Sequence, residues 1–224
     1  TDTMLADIER HWATVQRIEA QLQTDAATIE FTAPADLDIT VDEFARHFEE
    51  FQVPHSTAKH ARLLSRSNYL VGPLARYRLA REKLLPAAAA AASAAGLGAT
   101  CPNPFRSIIV RAVEVVHACE EALRITDGLI DTSIDVDPGS VEVPARAGTG
   151  HGATEAPRGL LYHRYTLDEA GTITDAEIVP PTSQNQRHME ADLRAFVPSV
   201  LDRPDEELTR LCEMVVRNYD PCIS

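Results

Sequence analysis

Basic residues are scarce in this chain: 21 Lys and Arg stand against 34 Asp and Glu, a formal charge of -13 over 224 residues. Such a surface repels nucleic-acid backbones and anionic lipid, so neither is expected as a partner. Cysteines are few and scattered. Cys101, Cys119, Cys212 and Cys222 show no CxxC spacing, and a chain this long needs no disulfide staples, so reduced thiols in a cytoplasmic protein are expected. Long apolar runs are missing too. The alanine tract of residues 86–100 carries Ser93 and two glycines and is too short to span a bilayer, and nothing resembles a signal peptide. Also absent are a GxSxG elbow, an HExxH pair, a Walker loop and an EF-hand pattern. The chain opens at Thr1 without an initiator Met, which suggests a fragment or a processed product.

What is present is helical periodicity. Leu5, Ile8, Trp12, Val15, Ile18 and Leu22 make residues 4–23 an amphipathic helix, followed by a connector over 29–40. Thr40 or Asp42 caps a short helix running through Phe51. His55 and His60 lie five apart, off the three- or four-residue spacing of one helix face, so they read as polar loop residues rather than a ligand pair. Gly72-Pro73 breaks a turn and starts a helix, and a second helix follows through the alanines to Gly96 or Gly98. The clearest helix follows Pro102-Asn103-Pro104. Its apolar face is Phe105, Ile108, Ile109, Ala112, Val113, Val116, Cys119 and Leu123; its polar face includes His117 and a Glu120–Arg124 pair.

From Asp127 to Gly152 periodicity gives way to Gly, Pro, Asp and Thr. Gly148-Thr149-Gly150-His151-Gly152 lacks the strand-then-helix context of a phosphate loop. Residues 159–167 and 172–179 form a hairpin across the turn at 168–171. Helices over 185–196 and 205–218 follow, the second with Leu208, Leu211, Cys212, Val215 and Val216 inward. The expected fold is mainly α with a small antiparallel β-hairpin. It divides into a helical region, 1–126, and a region of loop, hairpin and C-terminal helices, 127–224, within one continuous domain.

Three stretches stand where ordered elements give way to loops, as binding residues usually do. They are Glu155-Ala156-Pro157-Arg158-Gly159, Pro181-Thr182-Ser183-Gln184-Asn185 and Asp220-Pro221-Cys222-Ile223-Ser224. Taken alone, Cys222 is an ordinary free thiol and Glu155 with Arg158 a structural ion pair. Taken together, a terminal thiol could ligate a soft metal while a neighbouring guanidinium donates fixed hydrogen bonds to an anionic ligand.

These stretches, with Ser67-Asn68-Tyr69-Leu70-Val71-Gly72-Pro73-Leu74-Ala75-Arg76 and Asn103-Pro104-Phe105-Arg106-Ser107, resemble the C-terminal half of the large, catalytic subunit of nickel–iron hydrogenases. The wording is most similar to the cytosolic NAD(P)-linked and sulfhydrogenase branch. The resemblance implies a helical large-subunit architecture and a Ni–Fe centre whose iron carries carbon monoxide and cyanide. It implies reversible heterolytic cleavage of H2, an iron–sulfur small subunit and NAD(P)-reducing partners. By the same resemblance Cys222 is a terminal nickel ligand and Arg158 lies over the metals, held by Asp220. Pro157 walls the diatomic ligands, Thr182 hydrogen-bonds a cyanide, and Glu155 belongs to the same cofactor-binding loop. The family's second cysteine falls beyond Ser224, as does a histidine that helps hold magnesium, and its N-terminal cysteine motif does not occur here. The expectation is therefore a portion of the subunit that needs the N-terminal half, and that alone neither assembles the cluster nor turns over hydrogen. The competing reading is a metal-free structural subunit of a respiratory complex that kept this fold.

Overall fold

The structure, a computed structural model, describes residues 39–65, 68–131 and 143–222. The helix expected over 4–23, most of the connector after it, Ser67 and the residues following Cys222 lie outside that range. Among the described residues are six α-helices and five strands, the strands in two antiparallel sheets.

The first helix is short. Glu43 folds back to accept a hydrogen bond from the Thr40 backbone N–H at 3.0 Å, and α1, Phe44–His47, follows. It does not reach Phe51. Phe48–Phe51 is strand β1 instead, paired with β2, His60–Leu63. Tertiary packing overrides the local preference: Phe48 stacks on Phe44 and meets Tyr69 edge-on.

Helices α2, Pro73–Ala80, and α3, Pro86–Ala94, each begin with proline at N1, where a missing N–H costs nothing. Helix α3 ends in a Schellman turn. Leu97 N–H reaches the Ala92 carbonyl and Gly96 N–H that of Ser93, with Gly96 at φ 66°. Leu74, Tyr77, Ala88, Ala92, Val110 and Val113 form the core between these helices and α4, Ser107–Asp131.

The inward face of α4 differs from the expected one. Phe105 and Val113 are buried and Ile109 and Val116 partly so, but Val110 is at the centre, while Ile108, Leu123 and Cys119 are exposed. The reason is that α4 turns polar groups toward α3. The Leu85 N–H donates to His117 Nδ1 at 3.2 Å, and the Glu120 carboxylate accepts from Ala87 N–H at 3.0 Å. Both satisfy orphan donors at the start of α3, where negative charge is also favoured. Arg124 therefore pairs with Glu121, not with Glu120.

The hairpin is part of a three-stranded sheet in the order β3-β4-β5, comprising Gly148–Ala156, Gly159–Leu167 and Ile173–Val179. The glycine-rich stretch expected as loop is β3, paired along its whole length with β4. Glycine is a poor strand former, so composition hides this strand and only backbone pairing reveals it. Helix α5, Pro181–Phe196, starts four residues earlier than expected, because Pro180 takes the N-cap position and Pro181 opens the first turn. Helix α6, Asp205–Arg217, packs Leu211 and Val215 against Phe196, Val200 and Phe105. Cys212 is only half-buried.

The first turn of α5 is polar and buried. Ser183 and Gln184 are at most 1% exposed. Gln184 Nε2 donates to the Leu160 carbonyl at 2.6 Å, and its Oε1 accepts from the Tyr69 hydroxyl at 3.2 Å. Ser183 Oγ donates to Glu50 at 2.7 Å. Gln184→Ala would leave those buried partners unsatisfied around a cavity, so it is expected to cost about 3 kcal/mol, read as a lower urea midpoint.

Candidate functional site

Three segments converge where α5 begins. The first is the tip of the β3–β4 hairpin. Ala156 pairs with Gly159, which leaves Pro157 and Arg158 as a two-residue turn. The turn leans on Val71-Gly72 so closely that side chains are excluded. A Cβ on Gly159, at φ 138°, would lie 2.5 Å from Val71 Cγ2, and one on Gly72, at φ 103°, would lie 2.5 Å from the Arg158 carbonyl oxygen. Asn185 pins Val71 from the other side, accepting from its N–H at 2.9 Å and donating to its carbonyl at 3.0 Å.

The turn has a second anchor in Arg76. Its guanidinium forks onto Glu114 at 2.7 and 2.8 Å and also donates to Glu155 and to the carbonyls of Ala156 and Pro157, all at 2.8–2.9 Å. Burial pulls the Arg76 pKa down, but the hydrogen bonds to Glu114 and Glu155 outweigh it and hold the group above its ordinary value. Glu155 is thus turned to Arg76, away from Arg158. Its place is beside the hairpin tip rather than at the cleft that Pro157 and Arg158 line.

The second segment is the chain after α6. Asn218 receives the Ser107 hydroxyl at 2.6 Å, and the Tyr219 hydroxyl bonds Asp192. Desolvation and the Asp192 carboxylate push the Tyr219 hydroxyl well above its usual pKa, so it donates. Asp220 then turns the chain through φ 50°, a left-handed conformation that Asp tolerates better than most residues. Its carboxylate lies 3.0 Å from Arg158 Nε and 3.4 Å from Arg111, while Arg158 Nε also donates to the Asp220 carbonyl at 2.6 Å. Asp220→Asn keeps the backbone preference and loses only the ion pairs; Asp220→Ala loses both. The alanine variant is expected to be about 1 kcal/mol less stable than the asparagine variant in urea titrations.

The third segment is the first turn of α5. Thr182, 3% exposed, sets its Oγ1 at 3.1 Å from Cys222 Sγ and accepts from the Cys222 N–H at 3.3 Å. Cys222 itself is an exposed free thiol. Arg158, Asp220, Thr182 and Cys222 thus form one linked chain of contacts, with Asp220 two residues from the thiol. Arg158, Asp220 and Pro157 line a cleft with Val71, Leu74 and Tyr219, mostly apolar wall with guanidinium and carboxylate set into it.

Gly72, Arg76, Asn185 and Arg111 had no assigned role in the sequence; only the Gly-Pro break at 72–73 signalled a tight turn there. His55 and His60, dismissed as a pair, do meet. They lie not on a helix but on β2 and the segment before it, and both face Glu190 of α5.

As a seat for a metal centre, the corner offers one accessible sulfur, a hydroxyl beside it and a fixed guanidinium, the donor types a thiolate-bound metal with anionic ligands requires. Among the described residues no group of three or more His, Cys, Asp or Glu gathers at Cys222. The corner therefore fits one side of such a centre, with one thiolate from these residues.

No family model matches the chain. It is 33% identical over 183 residues to sulfhydrogenase 1 subunit alpha of Pyrococcus furiosus, covering 82% of this chain and 42% of that protein. It is 33% identical over 162 residues to the NAD-reducing hydrogenase HoxS subunit beta of Cupriavidus necator, covering 69% of this chain and 33% of that one. A solved NAD+-reducing [NiFe]-hydrogenase in the H2-reduced state superposes with a TM-score of 0.65 at 25% identity, over 80% of this chain and 41% of that one. The chain thus spans less than half the length of each of these proteins.

Proposed function

This chain being a relative of nickel–iron hydrogenase large subunits, we propose that it forms one wall of the catalytic nickel–iron centre of a hydrogenase. The substrate is H2, cleaved reversibly to protons and electrons, with an iron–sulfur small subunit and NAD(P)-reducing subunits as partners and the cytoplasm as compartment. No helix among the described residues is long and apolar enough to cross a membrane. The observation that carries the reading is the contact chain Arg158–Asp220…Cys222–Thr182, which joins a hairpin tip, a helix start and a chain end at one corner.

In this reading Cys222 would supply one thiolate to the nickel, and Pro157 and Thr182 would border the diatomic ligands of the iron. The remaining thiolates and the magnesium ligands come from sequence beyond these residues. When bound, the centre supplies the polarisation that splits hydrogen heterolytically. The chain's own residues handle the proton and the geometry. A guanidinium stays protonated, so Arg158 donates and orients while the Cys222 thiolate is the base. A proton held at Cys222 Sγ lies one hydrogen bond from Thr182 Oγ1. Asp220 fixes the angle of Arg158 through both its carboxylate and its carbonyl. Glu155 contributes at one remove, by holding Arg76 against the tip.

The test is nickel content of the complete, matured subunit with and without Cys222→Ser. The expected result is loss of stoichiometric nickel together with H2 oxidation. Full nickel occupancy in the serine variant would remove Cys222 from the ligand set and overturn the assignment.

A further inference from the structure

About two helical turns along α5 from Thr182, two imidazoles and a carboxylate face one another. His60, the first residue of β2, is 2% exposed, and its Nε2 is buried without a hydrogen-bond partner. His55 reaches over from the segment before β2 with its side chain 61% exposed, and its Nε2 lies 2.7 Å from Glu190 Oε1. The same Glu190 oxygen is 3.5 Å from His60 Nε2, and the three facing atoms all lie within 4.8 Å of one another. The two rings stand nearly perpendicular, at 87° with centroids 5.9 Å apart.

A plain ion pair explains His55 and Glu190 but not His60. A buried ring nitrogen 3.5 Å from a carboxylate oxygen, yet without a hydrogen bond to it, is a costly arrangement unless a third atom sits between them. We propose that His55, His60 and Glu190 form a binding site for a divalent transition metal of the zinc type, with the fourth position open to water. Two imidazoles and one carboxylate are a recurrent zinc donor set, and imidazole disfavours the hard cations Mg2+ and Ca2+. A tetrahedral shell with bonds of roughly 2.1 Å sets its donor atoms about 3.4 Å apart, so closing this one takes side-chain adjustment only.

The surroundings agree. Burial keeps His60 below its ordinary pKa, so the ring is neutral and its lone pair available. The second Glu190 oxygen is held by Arg194 at 3.0 Å, an outer partner of the kind that fixes a ligating carboxylate. Arg187 and Arg194 are the nearby cations, and they make the site weaker than a bare two-histidine, one-carboxylate cluster. The metal would tie the β1–β2 hairpin to α5, about two helical turns beyond Thr182. This site stands independently of the nickel–iron reading, since it shares no residue with it.

Zinc ion is the probe, titrated into the metal-free chain against a chromophoric chelator, with X-ray absorption on the zinc-loaded sample. The expected result is one zinc per chain in a nitrogen and oxygen shell without sulfur. His55→Ala, at an exposed position where folding is not at stake, and Glu190→Gln should each weaken binding at least about 100-fold. Zinc should also raise the unfolding temperature of the parent chain and leave that of His55→Ala unmoved. Absence of binding at micromolar zinc, sulfur in the shell, or affinity unchanged in both variants would each overturn the proposal.

Discussion

Gly159→Ala and Gly72→Ala should each destabilise the fold by about 2–5 kcal/mol, the largest single-methyl effects expected in this molecule. Two penalties act at each position. At φ 138° and 103° a Cβ strains the backbone, and the same Cβ would arrive 2.5 Å from a neighbour that cannot move aside cheaply. For Gly72 that neighbour is the Arg158 carbonyl, main chain held by the ladder behind it. For Gly159 it is Val71, whose backbone Asn185 fixes through two hydrogen bonds. Because the two glycines face each other, the double variant should cost less than the sum: one displacement of the tip relieves both clashes. Urea titrations of the four proteins check both statements, and a strictly additive double variant would refute the shared-contact account. On the proposed function the same displacement would move Arg158 in the complete enzyme, and a shift on the order of 1 Å there should lower H2 turnover about 100-fold.

The second large effect belongs to the guanidinium itself. Arg158→Lys in the matured enzyme should lower H2 oxidation about 100- to 1000-fold with nickel content unchanged, whereas Cys222→Ser should abolish both. Lysine keeps the charge but cannot place a planar Nε–H on the Asp220 carbonyl while presenting further donors to the cleft. The contrast separates positioning from ligation. Loss of nickel in the lysine variant would show that Arg158 acts in assembly rather than in turnover.

Much of this arrangement was legible in the sequence, and what was not has a common cause. The hairpin of residues 159–179, helix α2 from Pro73 and the glycine-ended α3 follow from local rules, and the structure places them within a residue or two of expectation. Strand β3 was hidden because Gly148, Gly150 and Gly152 erase side-chain alternation, leaving only cross-strand pairing to define it. The start of α5 was hidden because Thr182, Ser183, Gln184 and Asn185 are polar and read as loop. They are buried because every one of them bonds a distant segment, which no local pattern can announce. The inward face of α4 was misassigned for the same reason, since His117 and Glu120 cap a neighbouring helix. At the site, the three loop-end stretches stood out locally, but it was their resemblance to nickel–iron hydrogenases that singled out Arg158, Asp220, Thr182 and Cys222. Gly72, Arg76 and Asn185, which set the hairpin tip, depend on contacts across 79 to 114 positions of chain, and the Gly-Pro break signals a turn without saying what it meets.

Among the described residues, the β3–β4 ladder is gripped most tightly at its turn. Arg76 and the glycine contact grip Ala156 to Gly159, while the opposite end, Gly148 against Leu167, has mostly exposed side chains and no comparable clasp. Fraying of the ribbon is therefore expected to begin at the Gly148 end and to die out before the turn. An arm built this way would bend at its outer end like a cantilever and leave the guanidinium at its root in place.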